Sequence, residues 1–438
     1  MTRIRLGPLD PPRGTMRVPG DKSIGHRALL LNAIAEGAAV VGGLPAGRDL
    51  AATLGALRSL GVSIAEMPGA GARGNRVRIE GRARWRADEP VDCGNSGTTA
   101  RLLLGILAPR ATAPVTLVGD AGLSRRPMGR VVEPLCSVGA RIDSAAEPRP
   151  GIPDRLPLTV SGSALAGGSH RLAVASAQVK SALLLAGLAA RGPTWVEEPQ
   201  TSRDHTERML ERMGAVIRRE ARRTRVEPGP LAALDVDVPG DLSSAAPFLA
   251  FAAAREGSRL AVRGIGLNPT RTGFLEVLGA MGARVEIEVE GDDPEPRGTI
   301  RVEGRGLRGV RLGPEIVPRV IDELPLVAVL ATRAEGETVV TGAAELRIKE
   351  SDRIESIVRG LRALGAAIDP LEDGFAVQGP TGLSGAALDA ASDHRIGMAL
   401  AVAAVLAEGE SELEGAEWVD VSFPGFFERL GAGAGVAT

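Results

Sequence analysis

At 438 residues the chain has room for two or three domains, taking about 150 residues for each. Lys and Arg total 52 against 54 Asp and Glu, a net charge of −2, which excludes a uniformly basic surface built for nucleic acid or anionic lipid. Seven Phe, three Trp and no Tyr leave little for stacking bases, so RNA and single-strand binding are disfavoured as well. The two cysteines, Cys93 and Cys136, are too few for a disulfide framework and lack metal spacing. With four His and no His-Glu-x-x-His helix, zinc catalysis has no signature. The first residues, MTRIRLGPLDPPRG, hold no apolar run. The longest charge-free apolar stretch, near Ile396–Ala407, is about a dozen residues and too short to span a bilayer. A soluble, cytoplasmic globular protein is expected.

One pattern recurs along the chain: a polar opening, an apolar run, then a Gly or Arg stop. It opens at Asp21 (DKSIGHRALLLNAIAEG), Gly94 (GNSGTTARLLLGILAPR) and Ser176 (SAQVKSALLLAGLAARG). It returns at Gly240 (GDLSSAAPFLAFAAAREG), Ile321 (IDELPLVAVLATRAEG) and Asp393 (DHRIGMALAVAAVLAEG), with openings roughly 65 to 80 residues apart. A run apolar nearly all round, such as Ala28, Leu29, Leu30, Leu31 and Ile34, predicts a buried inner helix. After each run come a β-like stretch, a polar turn and an amphipathic outer helix, as over Asp352–Gly365. The outer helices end at Gly61-Val62, Gly139-Ala140, Gly214-Ala215, Gly282-Ala283, Gly365-Ala366 and Gly431-Ala432, where a left-handed glycine would cap the helix. Each repeat therefore reads as a sheet fragment with one inner and one outer helix, an α/β layer arrangement. Val18-Pro19-Gly20-Asp21 recurs as Val238-Pro239-Gly240-Asp241, with three repeats after each copy. Such Pro-Gly segments suit domain crossings, so two similar domains are expected: 20–239, and 1–19 with 240–438. The strand at Thr15–Val18 then belongs with the C-terminal half.

Inner helices running parallel would gather their N-termini at one end of each domain, where free N–H groups and the macrodipole attract anions. The reactive residue types fall at these openings: Lys22, Ser23, Arg27, Asn95, Ser176, Gln178, Asp322, His394 and Arg395. Others stand at the turns before outer helices: Arg48, Arg126, Arg203, Arg271, Lys349, Glu350 and Arg353. Ser23, Asn95 and Ser176 have a competing reading as simple helix caps. Lys22, Arg27 and Arg395 oppose the dipole, which points to a bound phosphate or carboxylate. Gly20-Asp21-Lys22-Ser23 imitates a phosphate loop, but the intervening Asp and the glycine spacing do not fit one.

The segments PGDKSIGHRALLL (Pro19–Leu31), GNSGTTAR (Gly94–Arg101), RPMGR (Arg126–Arg130), ASAQVKSALLLAG (Ala175–Gly187), LRIKESDR (Leu346–Arg353) and DHRIGMA (Asp393–Ala399) together resemble the 5-enolpyruvylshikimate-3-phosphate synthase family. The match runs through essentially the whole chain in order. It implies two similar domains, each of three βαβαββ-type units with buried inner helices, an inverse α/β barrel of the enolpyruvyl transferase kind. The site would lie in the cleft between them, closing about the two VPGD segments. The resemblance further implies enolpyruvyl transfer from phosphoenolpyruvate to the 5-hydroxyl of shikimate 3-phosphate, on the route to chorismate and the aromatic amino acids. No metal or organic cofactor, nucleic acid or membrane is implied, and the enzyme would act as a monomer.

By that resemblance Lys22, Ser23, Arg27, Ser176, Ala177, Gln178, Arg203, Asp322 and Lys349 correspond to shikimate 3-phosphate ligands. Lys22, Gly97, Arg126, Gln178, Arg353 and Arg395 correspond to the phosphoenolpyruvate site. Asp322 corresponds to the base at the hydroxyl, Glu350 to the proton-transfer residue at the enolpyruvyl carbon, and Lys22 shares the catalytic work. The chemistry needs an acid that later serves as base, a base for the hydroxyl, and several cations for a polyanionic pair. Arg forks suit carboxylate and phosphate bidentately. Inhibition by glyphosate in competition with phosphoenolpyruvate is implied too. Two departures stand out: Val421 occupies a place where many members carry Lys, and Arg203 stands where many have Ser and Tyr nearby. An alternative is the UDP-N-acetylglucosamine enolpyruvyl transferase family, of similar fold. It is disfavoured by Ser23 after Lys22 and by the lack of Cys among Gly119–Arg130.

Overall fold

The computed structural model describes residues 2–68, 75–81, 85–144 and 154–432. It divides into two compact units, Lys22–Val238 and a second formed by Met1–Asp21 with Pro239–Thr438. Two strands open the chain, β1 (Arg3–Leu6) and β2 (Arg13–Met16). Both belong to the second unit.

The unit Lys22–Val238 contains three versions of one motif. The first runs α1 (Lys22–Ile34), β3 (Ala38–Leu44), α2 (Arg48–Ser59), β4 (Ser63–Glu66) and β5 (Asn75–Glu80). The next is β6 (Val91–Asp92), α3 (Gly97–Arg110), β7 (Val115–Val118), α4 (Gly129–Ser137), β8 (Arg141–Ser144) and β9 (Leu158–Ser161). The third is β10 (Gly168–Arg171), α5 (Ala177–Gly187), β11 (Thr194–Glu197), α6 (His205–Arg212), β12 (Ile217–Glu220) and β13 (Arg223–Val226), followed by β14 (Val236–Asp237). The sheets are ordered β14-β3-β5-β4, β6-β7-β9-β8 and β10-β11-β13-β12. In the second and third, the strands before and after the inner helix pair in parallel (β6 with β7, β10 with β11); in the first, β3 pairs in parallel with β14 instead; and in all three an antiparallel pair closes the sheet.

The second unit repeats this plan with α7 (Leu242–Ala254), β15 (Arg259–Gly266), α8 (Gly273–Ala280), β16 (Arg284–Asp292) and β17 (Pro296–Glu303). There follow β18 (Leu307–Arg308), β19 (Arg311–Leu312), the one-turn α9 (Val317–Val320), α10 (Leu324–Ala331), β20 (Ala334–Val340), α11 (Arg353–Ala363), β21 (Ala367–Leu371) and β22 (Gly374–Gly379). The last repeat is β23 (Ala387–Asp389), α12 (His394–Leu406), β24 (Ser411–Glu414) and α13 (Phe426–Ala432). Its sheet is completed by β1, with Arg3 opposite Glu414. Likewise β2 leads into α1 but pairs in parallel with β15, and β14 leads into α7 but pairs with β3. Each crossing of the chain thus leaves behind a strand that completes the sheet of the unit being left.

The inner helices are buried as their composition demands. Every residue from Ile24 to Ala33 of α1 is buried, as is every residue of α12. Burying a Leu or Ile contributes about 1.5–3 kcal/mol, so these helices dominate two separate cores. Small residues let them approach: a Cβ on Gly105 of α3 would lie 2.1 Å from the Ala182 carbonyl oxygen of α5. Gly61, Gly139, Gly214, Gly282 and Gly365 all take positive φ at outer-helix ends. Gly431 differs, because it lies inside α13, and a 3₁₀ segment (Ala416–Val421) occupies the turn before that helix. Among the described residues no helix is long and apolar enough to cross a membrane.

Candidate active site

In the unit Lys22–Val238 the starts of α1, α3 and α5 come together through side-chain bonds. Ser176 caps α5, its Oγ accepting from the Val179 amide at 3.4 Å. Gln178, in the first turn of α5, accepts from Arg101 Nη1 at 2.8 Å and donates to Thr98 Oγ1 at 2.8 Å, which ties α5 to α3. Arg27 is buried; its guanidinium donates to Ser23 O (3.0 Å), Thr206 Oγ1 (2.7 Å) and Ser181 Oγ (3.0 Å). One arginine thereby joins α1, α5 and α6. Lys22 Nζ lies 3.3 Å from Asp49 Oδ2 on α2. Arg126 Nη2 donates to Asn95 Oδ1 at 2.7 Å, and Asn95 Nδ2 in turn donates to Asp120. Gly97 is the first residue of α3, and a Cβ there would stand 2.5 Å from Arg101 Nη1 and 3.6 Å from Arg126 Nη1. Arg203 is half-buried in the segment just before α6.

The second unit gathers the starts of α7, α10, α11 and α12 around two buried arginines. Arg353, the first residue of α11, donates from Nε to Asp393 Oδ2 at 2.8 Å and from Nη2 to Glu350 Oε2 at 2.7 Å. Its Nη1 reaches Asp322 Oδ1 at 3.3 Å. Asp393 also caps α12, accepting from the Arg395 amide at 2.8 Å, while Arg395 Nη1 donates to Ser243 O at 3.2 Å. Arg271 donates to Asp241 Oδ1 (3.0 Å) and Ser243 Oγ (2.7 Å), and its Nη1 stands 3.8 Å from Asp322 Oδ2. Ser243 Oγ donates to Glu323. Lys349 is half-buried next to the exposed Glu350, both in the turn ahead of α11.

Carboxylates outnumber cations in this cluster, and the imbalance shows in proton affinities. Burial pushes the Glu323 and Asp241 carboxyls up; Arg271 draws Glu323 back, and for Asp241 the neighbouring Asp21 adds to the rise before Arg271 opposes it. For Arg353, burial works against the charge, but Asp393, Glu350 and Asp322 outweigh it and hold the guanidinium well above its ordinary value. Arg271 is raised in the same way by Asp21 and Asp241. Both arginines are fixed positive charges; carboxylates fill the hydrogen-bonding edges of Arg353, whereas Arg271 bonds Asp241 and the Ser243 hydroxyl through Nη2.

The residues expected from the sequence therefore fall into two sets. Lys22, Ser23, Arg27, Gly97, Arg126, Ser176, Ala177, Gln178 and Arg203 sit in one unit; Asp322, Lys349, Glu350, Arg353 and Arg395 sit in the other. Ser176 is a cap as read, whereas Ser23 lies inside the first turn of α1. Asn95 is not the cap of α3: Ser96 accepts the Thr99 amide at 3.2 Å and leaves Asn95 to hold Arg126. Sequence reasoning passed over Asp49, Arg101, Thr98, Asp241, Ser243 and Asp393. Arg101 and Asp393 stood within or beside motifs already singled out, and a search for countercharges to each expected cation would have found Asp393. Asp49 directly follows the noted Arg48 but carried no signal of its own.

A fold of repeated βαβαββ units that gathers arginine and carboxylate at inner-helix starts defines an α/β enzyme class suited to small polyanions. A solved EPSP synthase from Acinetobacter baumannii superposes with a TM-score of 0.86 at 39% identity, covering 97% of each chain. The EPSP synthase (3-phosphoshikimate 1-carboxyvinyltransferase) family model matches residues 8–430, and the chain belongs to that family. Curated relatives named 3-phosphoshikimate 1-carboxyvinyltransferase include one from Anaeromyxobacter sp., 49% identical over 437 residues and covering 98% of this chain and 97% of its own. Another, from Brevibacillus brevis, is 44% identical over 425 residues, covering 95% and 96%. The UDP-N-acetylglucosamine alternative finds no support among these relatives.

Proposed function

We propose that this protein transfers the enolpyruvyl group of phosphoenolpyruvate to the 5-hydroxyl of shikimate 3-phosphate, releasing inorganic phosphate. The observation that carries the reading is the Arg353 guanidinium, bonded at once to Asp322, Glu350 and Asp393. Two of those carboxylates are the candidate proton carriers. An incoming phosphate or carboxylate competes with them for the same guanidinium edge, since Arg matches either anion bidentately. Substrate arrival then leaves Asp322 and Glu350 free to handle protons.

In the proposed sequence protonated Glu350, with Lys22 sharing the work, delivers a proton to the phosphoenolpyruvate methylene, and the 5-hydroxyl oxygen bonds to C2 as Asp322 takes the hydroxyl proton. A tetrahedral intermediate results. Loss of a proton from the new methyl group, assigned to Glu350, reforms the double bond and expels phosphate. Lys22, Arg126, Arg353 and Arg395 balance the charge of phosphoenolpyruvate and of the intermediate. Ser23, Arg27, Ser176, Ala177, Gln178, Arg203 and Lys349 hold shikimate 3-phosphate, and Gly97 leaves room beside Arg126. The enzyme acts as a cytoplasmic monomer without metal or organic cofactor.

Phosphate release is the direct test. It should require both substrates together, survive chelation and dialysis, and disappear when either substrate is left out. Turnover of UDP-N-acetylglucosamine in place of shikimate 3-phosphate would overturn the assignment.

A further inference from the structure

Behind the start of α5 lies a charged group that the reaction does not use. Lys180 Nζ sits 2.7 Å from Glu198 Oε2 and 2.7 Å from Glu207 Oε1, and all three side chains are 4% exposed or less. Burial alone would push the ammonium down, but Glu207 and Glu198 more than reverse this, so Lys180 stays charged. Glu198 also accepts from the Ser202 hydroxyl. The second oxygen of Glu207 has no hydrogen-bond partner among the described residues. A buried triad with one cation and two anions is a poor source of stability compared with apolar packing. Its value must lie in the geometry it imposes.

That geometry is specific. Lys180 follows Ser176 by one turn of α5, so it anchors the turn bearing Ser176, Ala177 and Gln178. Glu198 and Ser202 belong to the segment 198–204, which carries Arg203. Farther along, Asp204 is held by Arg208 at 3.0 Å and Arg219 at 3.2 Å. Next to Lys180 on α5, Ser181 meets Thr206, the neighbour of Glu207 on α6, at 2.6 Å, and Arg27 bonds both hydroxyls. The seam between α5 and α6 is thus cross-linked twice, once through hydroxyls and once through charge. The charged link continues into the Arg203 segment, from Lys180 to Glu198 and on to Ser202.

We propose that the Lys180–Glu198 pair is a positioning element for the phosphate of shikimate 3-phosphate, fixing the Arg203 segment against the first turn of α5, while Glu207 serves as a second countercharge to Lys180. The proposal rests on reading Ser176, Ala177, Gln178 and Arg203 as ligands of that substrate. Glu198→Ala releases the segment, whereas Glu207→Ala removes an ion pair of the same length whose acidic partner is carried on helix α6. Glu198→Ala should raise the KM and the calorimetric Kd for shikimate 3-phosphate by about tenfold, the low end of what losing one hydrogen bond to a charged group costs. Its phosphoenolpyruvate KM, measured at saturating shikimate 3-phosphate, should stay within about twofold of wild type. Glu198→Gln, which keeps the acceptor for Ser202, should restore most of the loss. Glu207→Ala should move the shikimate 3-phosphate KM by less than about threefold. Equal effects from Glu198→Ala and Glu207→Ala, or a phosphoenolpyruvate KM that moves in step, would overturn the proposal. If Glu198→Ala does not fold, Ser202→Ala reads the same split at about threefold, and an unchanged shikimate 3-phosphate KM there overturns it equally. Wild-type protein that fails to bind shikimate 3-phosphate would bring down the reading of the site itself, an outcome distinct from wild type and Glu198→Ala binding it equally well.

Discussion

Gly97→Ala tests how the phosphoenolpyruvate side of the site is built. A Cβ at this position would lie 2.5 Å from Arg101 Nη1, against about 3.5 Å for an ordinary contact. The guanidinium has to withdraw by about 1 Å. The same nitrogen donates to Gln178 Oε1 at 2.8 Å, so withdrawal stretches or breaks that bond and loosens Gln178. A hydrogen bond from a charged group contributes about 1.5–3 kcal/mol. Fully expressed, that is about 10-fold to 150-fold in affinity; because Arg101 is long and can relax, the lower end is expected. Alanine is meanwhile the better helix former by as much as about 1 kcal/mol. The expected signature is a phosphoenolpyruvate KM raised about tenfold with Tm unchanged or higher. The KM for shikimate 3-phosphate should rise by less, because other groups share that substrate. Inhibition by glyphosate, expected to compete with phosphoenolpyruvate, should weaken in parallel. Steady-state phosphate release and thermal unfolding measure both quantities. In an Arg101→Met background the substitution should add little, since contacting residues couple. A full effect without Arg101, or a phosphoenolpyruvate KM within twofold of wild type, would refute this route.

Glu350→Gln should lower kcat by at least about 100-fold, the usual reach of a positioned acid or base. Its phosphoenolpyruvate KM should hold or fall, because Arg353 loses a competing carboxylate; a variant keeping a tenth of wild-type turnover sinks the role. Asp393→Asn keeps a cap for α12 but removes the charge facing Arg353 Nε. Urea unfolding should show a loss of about 3 kcal/mol or more, as for a broken buried pair, and a loss under about 1 kcal/mol would count against the pair. Glu323 and Asp241 have carboxyls raised in the fold, so their contribution to stability is fully present below the ordinary carboxyl range and fades as pH rises through the raised values. Glu323→Gln keeps an acceptor for Ser243 and should flatten that decline, leaving the variant at least as stable as wild type at pH 7. A variant clearly less stable than wild type at pH 7, with the same pH slope, contradicts the sign.

How much of this was legible beforehand follows from how local each cause is. The inner helices could be read because Ala28–Leu31 or Leu324–Ala331 are apolar on every side, and only burial accommodates that. Five outer-helix ends could be read because a glycine C-cap is a one-residue signal. The last repeat misled the reading: Gly431 looked like its five counterparts, yet the helix runs through it. Strand exchange was half visible. The strand expected at Thr15–Val18 lies earlier, as β2 over Arg13–Met16, and pairs with β15, whereas β1 completing the last sheet depends on contacts 409 residues apart that no local pattern encodes. At the site, residue types that oppose a helix dipole drew attention to Lys22 and Arg395. Their partners, Asp49 and the Ser243 carbonyl, lie on other elements and show only in three dimensions.

Those partners alter what an arginine at a helix start means. The expectation was of cations standing ready for anionic substrate. In the folded chain Arg353 already faces Asp393, Glu350 and Asp322, and Arg271 faces Asp241 and Asp322. An isolated buried guanidinium would carry a heavy desolvation cost, which nearby carboxylates offset. A chain with net charge −2 can therefore keep strong anion sites without a basic surface, because each site neutralises itself until substrate displaces part of its own countercharge. The carboxylates displaced first would be the partly exposed ones, Glu350 and Asp322, since Asp393 is wholly buried and also caps α12. The two groups best placed to leave Arg353 are thus the two to which proton transfer is assigned, which makes substrate binding and the freeing of the acid–base groups a single event.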